Sequence, residues 1–328
     1  MARRKRKHRL RRSIKNILIL TILGVGVYFS YPLIETTLHN YFTIKESSND
    51  PLDIPTLTYP LNSDTLISQN ISAYNLSSSE FVYSKAADET IYPASITKIM
   101  TVLVALDHIS NYDEIVNIDA TAYQRLLDEN GSSAGFVSND EVSYWDLLYG
   151  TMLASGTETS NTLAIQLSGS IENFVDLMNA KAKQLNMKST HFVNVDGLHD
   201  EDHYSSTQDI VQLLDYALQN EVFKTIFTTK QYQSSTTNKY PYGLTIESTV
   251  LRFTEDLNTD QYGVLGGKSG TTYESGQCWV TLATIGEEQF IIVMMNAPFT
   301  NIYAQDRAQI TDTYALLKYM HQYDILIH

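Results

Sequence analysis

The chain has 328 residues, of which 43 % are hydrophobic, so it is long enough for one large or two modest cores. A single cysteine, Cys278, excludes an intrachain disulfide and a cysteine-rich zinc site. The formal net charge of −14 is unevenly divided: nine Lys and Arg lie between Arg3 and Lys15, and the remaining 14 face 37 Asp and Glu. This acidic remainder argues against nucleic acid as a partner.

The N-terminal segment is predicted to cross a membrane. Residues 16–34 carry no charged side chain, and as a helix they would span about 28 Å, close to the hydrocarbon thickness of a bilayer. Because the cations precede this segment, residues 1–15 are expected to be a basic cytoplasmic head and the rest of the chain to lie outside the cell. No cleavage site follows Ser30, so we expect an uncleaved, single-pass anchor in the cell membrane. Residues 35–60, interrupted by prolines, form the expected stalk, and residues 61–328 the folded domain.

Beyond the stalk, the predicted elements change from strands to helices and back to strands. Residues 66–86 alternate around an SSSE turn, which predicts a β-hairpin, and residues 262–297 are predicted to form two or three strands. Segments with helical periodicity lie between these strands and after the last one: 99–109, 144–156, 161–185, 206–219 and 304–323. This order predicts an α+β fold in which the two ends of the domain share one sheet and the middle forms a helical lobe.

Ser95 and Lys98 are the first candidate catalytic pair. They stand three residues apart at the head of an apolar helix, so their side chains share one face. Burial of this helix would desolvate Lys98 and lower the pKa of its amine, which makes it a usable base for the Ser95 hydroxyl. Free backbone N–H groups at the start of the helix would stabilise an oxyanion. A capping serine beside a solvent-reaching lysine is the alternative, because so short a motif is weak evidence alone.

Two further motifs follow in chain order. Ser155 lies at the junction of two helical segments, in LASGTETSN. Lys268, Ser269, Gly270 and Thr271 lie in a predicted strand, where the glycine permits close approach of a ligand to the backbone and the cation and hydroxyls suit a carboxylate. Each motif is weak alone, but the three in this order are typical of serine acyl-enzymes.

With these motifs, the chain resembles the D-alanyl-D-alanine carboxypeptidases, the low-molecular-mass penicillin-binding proteins of peptidase family S11. The resemblance runs from about residue 71 to residue 323 and includes four longer segments: 73–101, 131–156, 191–218 and 263–280. It implies a penicillin-binding/β-lactamase-like fold, with an antiparallel sheet packed by helices and a helical lobe. It also implies a serine D,D-peptidase catalytic domain acting in cell-wall peptidoglycan metabolism.

The resemblance implies a role for each catalytic residue. Ser95 attacks the carbonyl of the D-Ala–D-Ala bond of a peptidoglycan stem peptide, and Lys98 takes its proton. Backbone N–H groups of Ser95 and Thr271 form the oxyanion hole, and Ser155 relays a proton toward the leaving amine. Water then releases the acyl-enzyme. β-Lactam antibiotics acylate the same serine as covalent inhibitors, and neither a metal nor an organic cofactor is required.

The substrate-binding residues implied by the resemblance include one departure from the family pattern. Lys268, Ser269, Gly270 and Thr271 form the strand that holds the terminal carboxylate. The family's middle motif is Ser-Gly-Asn, whereas Thr157 stands at the position of the asparagine. The asparagine amide would bind a substrate carbonyl and contact the lysine, and threonine is shorter with one hydroxyl. Thr157 therefore either fills part of this role, weakens turnover or shifts the substrate.

Alternative functions stay open at this point. A catalytically silent cell-wall binding protein is motivated by Thr157. A class A-like β-lactamase is permitted by the three motifs, although we find no convincing Glu-x-x-Leu-Asn deacylation loop. The HDEDH segment between His199 and His203 lacks the His-Glu-x-x-His order of zinc peptidases, and we interpret it as a solvated acidic loop rather than a metal site.

Overall fold

The computed structural model describes residues 54, 56–58, 61–300 and 307–325. The strands in this part of the chain are β1 (Asn70–Asn75), β2 (Glu80–Lys85), β3 (Ile115–Asn117), β4 (Glu141–Ser143), β5 (Gln231–Gln233), β6 (Thr245–Glu247), β7 (Tyr262–Thr272), β8 (Gly276–Ile285) and β9 (Glu288–Ala297). Five of them form an antiparallel sheet in the order β2-β1-β9-β8-β7. Because β1 pairs with β9, the two ends of the domain share one sheet, as predicted.

The α-helices of the described residues are α1 (Lys98–His108), α2 (Ala120–Asp128), α3 (Tyr144–Met152), α4 (Thr157–Ser168), α5 (Ile171–Gln184), α6 (Thr207–Ala217), α7 (Glu221–Thr228) and α8 (Ala308–Gln322). In the helical lobe, α1 packs against α3, α4, α5 and α6. The last helix, α8, packs against β7, β8 and β9. The α+β architecture predicted from the order of elements is therefore confirmed.

One predicted helical segment, 161–185, is divided between two helices. α4 ends because Gly169 adopts a left-handed conformation, with φ 83°, that terminates the hydrogen-bonding pattern. The side chain of Ser170 then caps the start of α5. α4 also begins earlier than predicted, at Thr157, which moves this residue from a loop to the first turn of a helix.

The α1 helix is buried along most of its length. From Lys98 to Leu106 every side chain is buried, so the helix is surrounded by the core rather than amphipathic. Each fully buried aliphatic side chain of this kind contributes about 1.5–3 kcal/mol to stability, so packing holds the helix in place. Two cations, Lys98 and Lys268, are among the largest fully buried side chains of the described residues.

The predicted basic head, membrane anchor and most of the stalk lie outside the described residues. Among the helices that the structure does describe, none has the length and apolar character needed to cross a bilayer. Leu57, within the predicted stalk, is buried.

Candidate active site

Ser95 lies in a tight turn at the head of α1. The turn is a 3₁₀ helix, Ala94–Thr97, which leads directly into α1 at Lys98. The preceding residue, Ala94, adopts a positive φ of 46°, which is uncommon for a residue with a side chain. The Nζ atom of Lys98 donates to the Oγ atom of Ser95 at 3.3 Å. The predicted juxtaposition of this hydroxyl and this amine is therefore present.

The amine of Lys98 is held by a backbone carbonyl. Its Nζ atom donates to the carbonyl oxygen of Asp196 at 2.6 Å, and the side chain is 1 % exposed. Desolvation lowers the pKa of Lys98 to about 8, against the opposing negative charges of Asp196 and Glu158. Because this pKa lies near neutrality, the amine is neutral in an appreciable fraction of molecules at mildly alkaline pH.

Strand β7 forms a second wall of the site. A Cβ atom added to Gly270 would lie 2.7 Å from the backbone N of Ser95, so only glycine allows the strand to pass this close. Lys268 is fully buried, and its Nζ atom donates to the carbonyl of Ser269 at 2.7 Å. Burial, together with the positive charge of Lys98, lowers the pKa of Lys268 well below the ordinary value for lysine.

The hydroxyls of β7 make local contacts. The Oγ atom of Ser269 donates to the Oγ1 atom of Thr249 at 2.8 Å, and the Oγ1 atom of Thr271 donates to the carbonyl of Gly270 at 2.7 Å. Thr249 in turn donates its backbone N–H to the carbonyl of Leu153 at 3.0 Å. This chain of contacts connects β7 with the end of α3, just before Ser155.

Ser155 and Thr157 lie at the junction of α3 and α4. Ser155 has a positive φ of 63°, and its buried Oγ atom has no hydrogen-bond partner among the described residues. The side chain of Thr157 is directed at Gly131, since a Cβ atom added there would overlap its Oγ1 atom. Within the part of the chain that the structure describes, neither side chain forms a hydrogen bond with Ser95 or Lys98.

Sequence reasoning missed the contribution of the segment Asn194–Leu198. A Cβ atom on Gly197, which has a φ of +81°, would overlap the carbonyl of Ala94, so this segment lies directly against the turn that carries Ser95. These residues lie within the segment 191–218 that resembles the S11 family, but no local signal indicates that Asp196 contacts Lys98, because 98 residues separate them.

The two histidines of the HDEDH segment have different environments. His199 is exposed, and its ring packs edge-on against Tyr92. His203 is buried; its Nδ1 atom accepts from the backbone N of Val193 at 3.1 Å, and its Nε2 atom lies 2.7 Å from the Oγ1 atom of Thr97. Burial lowers the pKa of His203 to about 4. The prediction of a wholly solvated loop is therefore wrong for His203, because its ring supports the turn that carries Ser95.

With this geometry in place, comparison with known proteins gives a consistent result. The sequence model of the D-alanyl-D-alanine carboxypeptidases, peptidase family S11, matches residues 62–299. The chain belongs to this family. Its predicted enzyme class, the serine-type D-Ala-D-Ala carboxypeptidases, is thereby confirmed.

Several S11 relatives are similar over most of the folded domain. Identity is 30 % over 226 residues with a D-alanyl-D-alanine carboxypeptidase of Streptomyces sp. (strain K15), covering 67 % of this chain and 77 % of the relative. It is 31 % over 217 residues with the carboxypeptidase DacF of Bacillus subtilis, covering 66 % of this chain and 54 % of DacF. It is 28 % over 223 residues with a D-alanyl-D-alanine endopeptidase of Escherichia coli, covering 68 % and 69 %.

Solved structures show the same fold. The Streptomyces K15 DD-transpeptidase superposes with a TM-score of 0.67 at 27 % identity, covering 81 % of this chain and 99 % of that one. Penicillin-binding protein 5 of Haemophilus influenzae also superposes with a TM-score of 0.67, at 26 % identity, covering 80 % and 72 %. The predicted penicillin-binding-protein-like fold of the S11 family is therefore confirmed.

Proposed function

We propose that this S11 family member removes the terminal D-alanine from peptidoglycan stem peptides through an acyl-enzyme on Ser95. The observation that carries the proposal is the hydrogen bond from Lys98 to the Ser95 hydroxyl, at 3.3 Å. It lies where the backbone of β7 at Gly270 passes close to the backbone N of Ser95. A buried amine with a pKa of about 8 accepts a proton more readily than an ordinary lysine of pKa near 10.4. These features make Ser95 an activated nucleophile.

The reaction follows from these positions. As the Oγ atom of Ser95 bonds to the carbonyl carbon of the D-Ala–D-Ala peptide, its proton passes to the neutral amine of Lys98. The oxyanion accepts hydrogen bonds from the backbone N–H groups of Ser95 and Thr271. When the C–N bond breaks, the leaving amine takes the proton held by Lys98, relayed through the Ser155 hydroxyl, and Lys98 becomes neutral again. Water then attacks the ester as its proton passes to Lys98, and that proton returns to the Oγ atom of Ser95 when the C–O bond to the serine breaks and the shortened peptide leaves.

Substrate binding is assigned to β7. The terminal carboxylate of the stem peptide is held by Lys268 with the hydroxyls of Ser269 and Thr271, and Gly270 keeps the strand close to the acyl position. A carboxylate placed beside Lys268 would raise the pKa of its amine and restore its positive charge, because an opposite charge favours the ionised form. β-Lactams, whose carboxylate and acyl carbon mimic the substrate, would acylate Ser95 in the same way.

We assign the cellular location from the sequence. Residues 16–34 anchor the chain in the cell membrane, residues 1–15 remain in the cytoplasm, residues 35–60 form a stalk, and residues 61–328 work outside the cell on the wall. The single run of cations before an uncharged segment supports this orientation.

Intact mass spectrometry tests the proposed nucleophile. The full-length protein, purified in a mild detergent, is mixed with benzylpenicillin beside its Ser95→Ala variant. We expect one penicilloyl adduct on the wild type and none on the variant, together with D-alanine release from a stem pentapeptide by the wild type alone. An adduct that persists in Ser95→Ala would contradict the assignment.

The silent cell-wall binding protein is the second candidate, favoured by the orientation of Thr157 toward Gly131. It predicts no adduct on the wild type and peptidoglycan binding that Ser95→Ala leaves unchanged. A class A-like β-lactamase would instead hydrolyse benzylpenicillin rapidly and leave no lasting adduct. The mass measurement, with hydrolysis of the added benzylpenicillin followed in the same samples, therefore separates the three functions.

A further inference from the structure

The α4 helix reaches the lysine by a route that the family motif does not include. Thr157, at the position of the motif asparagine, is directed at Gly131. One turn further along α4, Asn161 is fully buried. Its Nδ2 atom donates to the Oδ2 atom of Asp196 at 2.7 Å and to the carbonyl of Thr157 at 2.8 Å. Asn161 is therefore an α4 side chain that reaches the Asn194–Leu198 segment, whose residue Asp196 contacts Lys98.

Asp196 connects this amide to the catalytic pair. Its backbone carbonyl accepts from the Nζ atom of Lys98 at 2.6 Å and from the Oγ atom of Ser95 at 3.4 Å. Its carboxylate is completely buried. The carbonyl of Asp196 can orient the amine of Lys98 only if its peptide group is held in a fixed position. The hydrogen bonds of the Asp196 side chain hold it there.

Two hydrogen-bond donors and one ion-pair partner hold the Asp196 carboxylate. Asn161 on α4 donates to its Oδ2 atom, and the backbone N of Leu198 donates to its Oδ1 atom at 3.2 Å. The Nε atom of Arg125, on α2, donates to Glu129 at 3.1 Å and forms an ion pair with the Oδ2 atom of Asp196 at 3.7 Å. A buried carboxylate needs such partners, because an unpaired charge in the interior is strongly unfavourable.

We infer that Asn161 and Arg125 are positioning residues for the general base: by fixing Asp196 they hold the amine of Lys98 against Ser95. The assignment rests on the proposed function, in which Lys98 takes the serine proton. It gives α4 a link to the lysine that does not use the residue at position 157.

The charges around Lys98 give this network an electrostatic signature. Asp196 from the Asn194–Leu198 segment and Glu158 from α4 raise the pKa of Lys98. Lys268 from β7 is a neighbouring amine whose pKa the charge of Lys98 lowers, and His203 also interacts with Lys98 electrostatically. Arg125 opposes the effect of Asp196, because its positive charge lies beside that carboxylate. Removing Asp196 and removing Arg125 should therefore shift the titration of Lys98 in opposite directions.

The test measures the second-order rate constant of acylation by benzylpenicillin from pH 5 to pH 10 on the full-length protein. In the wild type, the rate should rise with pH through the pKa of Lys98, near pH 8. Asp196→Asn should move this rising limb of the pH–rate profile to lower pH by about one unit, and Arg125→Gln should move it to higher pH by a smaller amount. Asn161→Leu should lower the plateau about tenfold through loss of positioning.

Asp107→Asn is the matched control. It removes a carboxylate from the same helix, α1, nine residues beyond Lys98 and about 14 Å along the helix axis. Asp107 pairs with Lys181 at 2.7 Å. The control should leave both the limb and the plateau unchanged, so a shift common to all carboxylate variants would overturn the assignment.

Two further measurements keep the outcome decisive. The Asn161→Leu/Asp196→Asn double variant removes the buried charge along with its donor, so the Asn161 effect on the plateau should largely disappear in it. NMR of ¹³C-labelled lysine reads the titration of Lys98 without any turnover. If neither Asp196→Asn nor Arg125→Gln changes the pH dependence of acylation or the NMR titration of Lys98, the network is overturned. If the NMR titrations shift as expected but the wild type is not acylated, only the proposed function is overturned.

Discussion

The candidate site lies between a helical wall, formed by α1 with the Asn194–Leu198 segment, and a sheet wall, formed by β7. Each wall contains one buried lysine, and the surroundings of the two amines differ. On the helical wall, Lys98 is held by the carbonyl of Asp196, and the carboxylates of Asp196 and Glu158 oppose the effect of burial on its pKa. On the sheet wall, Lys268 is held by the carbonyl of its neighbour Ser269. There, burial and the positive charge of Lys98 both lower the pKa in the same direction.

In the proposed mechanism, this difference separates two tasks that one residue type performs. Beside Lys98, the carboxylates of Asp196 and Glu158 counteract the effect of burial and keep the pKa of the amine at about 8, where it can take up and release a proton. The sheet wall leaves its amine poorly solvated, which favours binding of an anion that restores the charge. Both lysines are buried, so the carboxylates near Lys98 are what distinguishes it as the base that we propose.

Replacing the lysine of the helical wall should have the largest effect. Lys98→Met removes the proposed base, so the plateau rate of acylation by benzylpenicillin should fall about 10³-fold. The buried methionine keeps the volume without a charge, so thermal unfolding should not occur at a lower temperature than in the wild type. Stopped-flow acylation and circular dichroism check the two expectations, and a variant that retains the wild-type rate would exclude Lys98 as the base.

Replacing the lysine of the sheet wall should change binding more than chemistry. Lys268→Met removes the cation assigned to the substrate carboxylate, so KM for a stem pentapeptide should rise about 100-fold while kcat falls less. Steady-state D-alanine release separates the two parameters. A loss confined to kcat would mean that both walls supply proton transfer, and the comparison between them would fail.

A smaller effect, on the pH dependence of stability, is expected from His203, whose ring contacts Thr97 in the turn that carries Ser95. The pKa of His203 is about 4 in the folded protein and near 6.5 when unfolded, so between these values the unfolded chain binds more protons. Stability should therefore fall as pH decreases through this window, and the part due to His203 should be about 2 kcal/mol between pH 7 and pH 5.

Urea unfolding at several pH values measures this contribution. In His203→Gln, the acid-dependent part should be missing even if the variant is less stable throughout. His199→Gln is the matched control, because His199 is exposed in the same segment. An equal change in slope for both variants would show that the acid dependence arises elsewhere.

Much of the fold and part of the site could be predicted from local patterns. The position of Ser95 three residues before Lys98 places both side chains on one face, and the hydrogen bond between them is present. The alternation of the first hairpin and the strands after residue 262 indicated the sheet, and β1 does pair with β9. The predicted single helix over 161–185 is wrong at Gly169, because this left-handed residue interrupts a helical periodicity that continues on either side.

The order of elements, the buried helix behind Ser95 and the three motifs depend on periodicity and short spacing, so the amino-acid sequence predicts them directly. The distant groups around Lys98, in contrast, become visible only in the folded chain. Asp196 is 98 residues from Lys98, Asn161 is 35 residues from Asp196, and His203 is 106 residues from Thr97. Contacts over such separations arise when the helices and loops of the domain pack against one another, and no local spacing encodes them.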